Sequence, residues 1–228
     1  EREFGPDVFY CDNTIADEGL FGVAFFGTWS DEDKNAVLLA IKATAQKFGA
    51  ILGSNAGFAW ALTFNYIELW MGGCDRCDPG DVGGYTYDAH QIRFSGLSDI
   101  SELRRRNHVV HELGHAFKWL LHGEEGVDVY SELSSWRTGH PGFPDRETFM
   151  GTESETGPNY GFASRQNIFT WQQSLNGDDS EEFADQFLGW IFNRWETATS
   201  GYLSLDGQAR ADMMSSNMPS WVSLFAQP

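Results

Sequence analysis

Residues 111–115 read His-Glu-Leu-Gly-His, inside a stretch patterned as a helix from about 101 to 122. No other feature constrains the fold as tightly. Positions i and i+4 share one face of an α-helix, so both imidazoles project the same way. Val109, Val110, Leu113, Ala116, Phe117, Leu120 and Leu121 form apolar stripes beside them. Such a helix must bury one side against a second layer and offer His111 and His115 to a cleft on the other. Gly114 lies between the two His. In a helix interior glycine costs roughly 1 kcal/mol relative to alanine, and the close approach of another backbone would account for that cost. Ser98 or Ser101 can cap the helix, and Gly123 ends it.

Two imidazoles so placed can hold one zinc at ~2.0–2.1 Å. Glu112 then lies beside the water that the metal activates. It can take that water's proton during attack on a carbonyl and hand it to the leaving amine. The plainer reading is a pair of surface histidines on an ordinary core helix. His108 precedes His111 by about one turn and reads as a satisfied polar residue or as a support for the site. His122, seven residues after His115, is carried away from the metal.

A catalytic zinc needs three protein ligands and an open position. The metzincin pattern would require Gly at 118 and His at 121. Lys118 and Leu121 stand there, which excludes it. Downstream, residues 181–188 read Glu-Glu-Phe-Ala-Asp-Gln-Phe-Leu. Glu181, Ala184, Asp185 and Leu188 share a face, and Phe183, Phe187, Trp190 and Ile191 make an adjoining apolar one. Ala184 is small, which suits close packing near Gly114. Glu181 can then reach the metal as third ligand. Asp185, one turn on, can accept the free ring N–H of a ligating histidine and set its tautomer. Glu182 points some 100° away from Glu181.

The pairing of His-Glu-x-x-His with a later Glu-x-x-Ala-Asp-x-Phe helix resembles the gluzincin zinc metallopeptidases, in particular the lethal-factor-type and minigluzincin groups. The resemblance covers two helices and their spacing, about a fifth of the chain. It implies an α+β, zincin-like fold: a small mixed sheet with an active-site helix and a second, glutamate-bearing helix flanking a cleft. It implies zinc on His111, His115 and Glu181, with Asp185 behind the ligands and Glu112 as the base. The family also carries a Tyr-Gly before its glutamate helix, whose phenol stabilises the oxyanion. Tyr160-Gly161 is the counterpart here, about twenty residues before Glu181 and farther than in the toxin peptidases. Gly151-Thr152 and Tyr160-Gly161 also bracket a loop faintly like the aspzincin pattern, with Glu153 and Glu155 as rival ligands.

Elsewhere, Val23–Phe26 reads as a short buried strand. Ser30 caps a helix over 31–49, ended at Gly49, with Val37, Leu38, Ile41, Ala45 and Phe48 at helical spacing. Phe58–Met71 should hold a strand, Gly72–Gly84 a loop, and Gln91–Ser95 a further strand. An edge strand of the sheet, taken as the one around 91–95, could align an extended substrate. Residues 123–165 lack periodicity and shape the cleft. Helices are expected over 179–197 and 206–215. The whole reads as one catalytic domain, 1–228, with an upper sheet-containing lobe to about 122 and a lower, mostly helical lobe after it.

The net charge of −18 opposes binding to a phosphate backbone, so nucleic acid is not an expected partner. A solvated acidic surface is the plain reading, with cationic substrates or bound cations as the sharper one. No apolar run reaches the ~18 residues of a membrane helix. The chain shows neither a signal peptide nor an initiator Met, which is compatible with a leader removed from a longer precursor. Cys11, Cys74 and Cys77 read as one disulfide plus a spare thiol, which favours an extracellular location. Asp75, Asp78 and Asp81 could help hold calcium, but their spacing departs from the EF-hand and a plain turn fits better. Eighteen Phe, nine Trp and seven Tyr argue either for a packed core or for aromatic-lined clefts. The expectation is a monomeric, secreted zinc endopeptidase acting on peptide or protein. The alternatives are a zinc amidase on a non-protein cell-wall substrate, and a non-catalytic zinc-stabilised module that grips glycan or protein.

Overall fold

A computed structural model of the chain describes residues 8–10, 22–53, 66–72, 84–97, 102–124, 126–129, 131, 179–193 and 201–225. They form a mixed α+β arrangement of a five-stranded sheet and four helices. The strands are β1 (Val8–Tyr10), β2 (Gly22–Gly27), β3 (Tyr66–Met71), β4 (Gly84–Asp88) and β5 (Gln91–Phe94), in the order β1-β2-β3-β5-β4. β2, β3 and β5 run parallel, while β1 and β4 are antiparallel to their neighbours. The helices are α1 (Asp31–Leu52), α2 (Glu102–Glu124), α3 (Asp179–Phe192) and α4 (Gly201–Leu224). None is long and apolar enough to cross a membrane.

Strand alternation divides the sheet into two unlike faces. Phe25, Leu69 and Ile92 stand in register across β2, β3 and β5, and all three are buried with Val37, Ile41, Val109 and Val110 of α1 and α2. On the opposite face the same register aligns Phe26, Trp70 and Arg93. Phe26 and Trp70 stack at 4.2 Å, and the Arg93 guanidinium lies 5.1 Å from Trp70 and 4.9 Å from Tyr87. Glu68 accepts from Gln91 Nε2 and Trp70 Nε1 on this face.

Ser30 caps α1 as its position predicts: its Oγ accepts from the Asp33 N–H at 3.1 Å. Asp33 in turn faces Arg105 at the start of α2, 3.5 Å away, and Arg105 donates to the Leu97 carbonyl. The helix passes Gly49 and ends at Gly53, which is left-handed (φ 76°) and returns its N–H to the Gly49 carbonyl. Gly49 is thus the acceptor in the cap of α1, and the left-handed residue lies four positions later.

Several of the described aromatics make core. Phe48, Phe94, Phe117, Phe183 and Phe187 are fully buried. Phe48 meets Phe117 at 5.2 Å and Trp190 at 5.9 Å, and Phe183 meets Trp221 at 5.9 Å, which knits α1, α2, α3 and α4 together. Lys47 lays its amine 5.0 Å from the Trp190 ring centre, and partial burial lowers its pKa from the usual lysine range.

Besides the longer α1, two further helices and one strand differ from the sequence pattern. α3 stops at Phe192, not 197, where Asn193 takes a left-handed turn (φ 49°). α4 spans Gly201–Leu224, far beyond 206–215, with Pro219 inside it. Proline normally ends a helix, but Met214 and Met218 before it and Trp221, Val222 and Phe225 after it are all buried, and their packing carries the helix through. Gln91–Phe94 is not the sheet edge: β5 lies between β3 and β4. Among the described residues β4 is the outermost strand on that side, and its aromatic and β-branched alternation is hidden in the sequence by the Gly- and Asp-rich loop before it.

Candidate metal centre

α2 crosses between the sheet and α3, so it is buried on more than one side. Every residue from Asn107 to Lys118 is buried, including both histidines of the motif. The sequence reading of a helix buried along one side only is corrected here. α3 covers a flank that the apolar stripes alone did not mark.

Gly114 is the point of closest approach. A Cβ there would lie 3.0 Å from Ala184 Cα, 3.0 Å from Phe187 Cβ and 3.2 Å from the Ala184 carbonyl. The small pair Gly114 and Ala184 therefore lets α3 settle against α2, as their sequence positions imply.

The i, i+4 spacing brings His111 Nε2 and His115 Nε2 to 3.1 Å. Two nitrogens bound at about 2.0–2.1 Å to a tetrahedral zinc would stand roughly 3.3–3.4 Å apart. The observed separation is within a few tenths of an ångström of that, so the donor pair fits such an ion. His111, Glu112 and His115 offer ligand atoms within 4.8 Å of one another, all buried, and this group could hold a metal ion.

Glu112 is held separately from the histidine nitrogens. Thr86 of β4 donates to its Oε2 at 2.7 Å, and the Thr86 hydroxyl also lies 3.1 Å from the Glu112 carbonyl. Its other oxygen, Oε1, is 3.7 Å from His108 Nε2. Gly84, two residues before Thr86 on the same strand face, leaves room for the carboxylate: a Cβ there would lie 3.0 Å from Glu112 Cγ, Cδ and Oε1. A buried carboxylate is costly unless hydrogen-bonded. The edge strand supplies that bond and sets the group's position.

His115 is tied on its other side. Its Nδ1 lies 3.0 Å from Ser180 Oγ, and Lys118 Nζ donates to the same oxygen at 2.6 Å. His108 sits beneath the motif, its ring 6.1 Å from Phe94 and 6.4 Å from His111, while His122 is exposed at the far end of α2.

The structure thus brings together His111, Glu112 and His115. Glu181 and Asp185 lie on α3, but their side chains, like that of Glu182, lie outside the described part of the structure. Tyr160, Glu153, Glu155, the three cysteines and Asp75, Asp78 and Asp81 also lie outside the described residues.

Sequence reasoning missed Thr86, Gly84, Ser180 and the placement of Lys118. Three of these left a signal. Ser180 is four residues before Ala184, so a helix that sets Ala184 against Gly114 turns Ser180 toward α2 as well. Gly84-Tyr85-Thr86-Tyr87 alternates as a strand does, with Gly84 and Thr86 sharing a face. No family model, no curated protein and no solved structure matches this chain.

Proposed function

We propose that this protein is a zinc-dependent peptidase with a zincin-like fold and a gluzincin ligand set. The observation that carries the reading is the pair of buried imidazole nitrogens 3.1 Å apart, with a separately anchored carboxylate between them in sequence.

His111 and His115 would hold the metal through Nε2. Glu181 is the proposed third ligand: it follows Ser180 and stands three before Ala184, both of which meet α2. A bound zinc would polarise a scissile carbonyl and lower the pKa of a water to about 7. The remaining work falls to the chain's own groups. Glu112 takes the proton of the attacking water as the carbon–oxygen bond forms, then delivers it to the amide nitrogen as the carbon–nitrogen bond breaks. Thr86 keeps the carboxylate aimed by donating to one of its oxygens. Asp185 is proposed to accept a ligand ring N–H, and Tyr160 to donate to the developing oxyanion. β4 is the outermost strand among the described residues on its side of the sheet, and an extended peptide could add to it. A secreted protein acting on peptide or protein is the setting proposed with this chemistry.

The test is metal content, by elemental analysis, together with peptide hydrolysis. The parent should hold about one zinc per chain, and Glu181→Ala should lose most of it after identical purification. Glu112→Ala should keep its zinc and lose activity by about 100-fold or more. A Glu112→Ala protein that cleaves as fast as the parent would remove the base from the mechanism. A parent that takes up no zinc would end the peptidase reading.

A further inference from the structure

Lys118 and Ser180 stand apart from the roles assigned above, yet both are buried against a proposed ligand. Lys118 is 9% exposed and Ser180 8%, in contrast to the neighbouring Trp119 at 42%. The Lys118 amine sits 5.2 Å from the Trp119 ring centre and 2.6 Å from Ser180 Oγ. An ammonium has hydrogen-bond donors and no acceptor, so in this contact lysine donates and serine accepts. The same hydroxyl oxygen lies 3.0 Å from His115 Nδ1.

The protons can then be counted. His115 Nε2 faces His111 Nε2. If His115 gives the Nε2 lone pair to a metal, the ring's one proton is on Nδ1, and the group beside Nδ1 is Ser180. Ligating histidines almost always donate this second N–H to a partner, which fixes the ring and its tautomer. Ser180 Oγ has two lone pairs, so it can accept from Lys118 and His115 together while its own proton turns elsewhere.

The choice of acceptor has a consequence. A carboxylate at this place would raise the basicity of the ligand and draw the metal in. Here the acceptor is a neutral oxygen that already serves a cation. Lys118 both competes for the hydroxyl and sets a positive charge near a divalent ion, and each effect loosens the ion.

We infer that Ser180 is the positioning residue for His115, and that buried Lys118, bound to the same hydroxyl, holds the affinity of the site for zinc below what its ligands would otherwise give. This rests on the zinc reading above. It gives the two residues opposite signs. Ser180→Ala removes the acceptor and should weaken zinc binding by about 10- to 100-fold. Lys118→Met keeps an unbranched chain over Trp119 and removes the charge, so it should tighten zinc binding on the order of tenfold.

The experiment strips the full chain of metal and titrates zinc back against a chromophoric chelator, for the parent and both variants. The zinc-loaded proteins are also examined by nitrogen-15 NMR for the His115 Nδ1–H signal. Expected are weaker binding and a lost or rapidly exchanging signal in Ser180→Ala, and tighter binding with the signal kept in Lys118→Met. General damage to the core would weaken both variants, so a Lys118→Met protein that binds zinc less tightly than the parent overturns the role of the charge. A Ser180→Ala protein with parental affinity and an unchanged signal overturns the positioning role. Should Ser180→Ala fail to fold, Ser180→Cys, whose sulfur is a poor acceptor, takes its place with the same expected loss. A parent that binds zinc with indifferent variants defeats this inference alone, whereas a parent that binds none defeats the peptidase reading too.

Discussion

At the scale of single residues, the centre depends on how few donors serve how many acceptors. Thr86 has one hydroxyl proton and two candidate acceptors on Glu112, the carboxylate at 2.7 Å and the carbonyl at 3.1 Å. The charged acceptor wins, because hydrogen bonds to ionised groups are shorter and about twice as strong. Thr86→Val keeps the branched shape and removes the proton. In the proposed enzyme it should lower kcat by about 10-fold while leaving KM and zinc content near the parent's, because the bond orients the base without touching the metal. Thr86→Ser should restore most of the loss. Steady-state kinetics with metal analysis would check this, and a parental kcat in Thr86→Val would mean that other contacts suffice to aim Glu112. Thr86 was not legible as part of the site, since it lies 26 residues from Glu112 and only strand placement joins them. His111, Glu112 and His115 were legible, because one turn of helix sets their relation.

At the scale of elements, the decisive contact is α2 against α3. A glycine in mid-helix normally gains stability on replacement by alanine, by roughly 1 kcal/mol. At Gly114 the new methyl would meet the backbone of α3 at 3.0 Å, and a backbone cannot turn aside as a side chain can. Overpacking of this kind costs about 1–3 kcal/mol. Gly114→Ala is therefore expected to destabilise by a net of about 1 kcal/mol in urea denaturation, at unchanged m-value. A gain in stability would show that the helices have room to spare. The pairing of Gly114 with Ala184 was readable because small residues have few other uses in a helix interior. The length of α4 and the place of β4 were not. Pro219 is a local stop signal that buried Met218, Trp221 and Val222 override, and strand order depends on partners far apart in sequence.

At the scale of the molecule, charge is the dominant feature. With 33 acidic residues against 15 Lys and Arg, a net charge of −18 works against compaction by self-repulsion. Raising salt from about 10 mM to about 150 mM shortens the screening length from ~30 Å to ~8 Å. The melting temperature should rise over that range, as followed by circular dichroism in sodium chloride. A flat or falling profile would mean that local ion pairs, which salt weakens, matter more than the net charge. Of the aromatic residues, Phe48, Phe117, Phe183 and Phe187 are interior, where α1, α2 and α3 meet.

What the sequence determined by itself is what the backbone repeats locally. The helical period alone places His111, His115 and Glu112 on one stretch of α2, marks its apolar stripes, and puts Ser30 at the start of α1. Only the tertiary structure decided who stands beside those residues. Ser180 reaches His115 across 65 positions, Lys118 reaches Ser180 across 62, and Thr86 reaches Glu112 across 26. Local periodicity carries no information over such distances. These neighbours are selected by how closely two helices can pack at a glycine, and by which strand is left at the rim of the sheet.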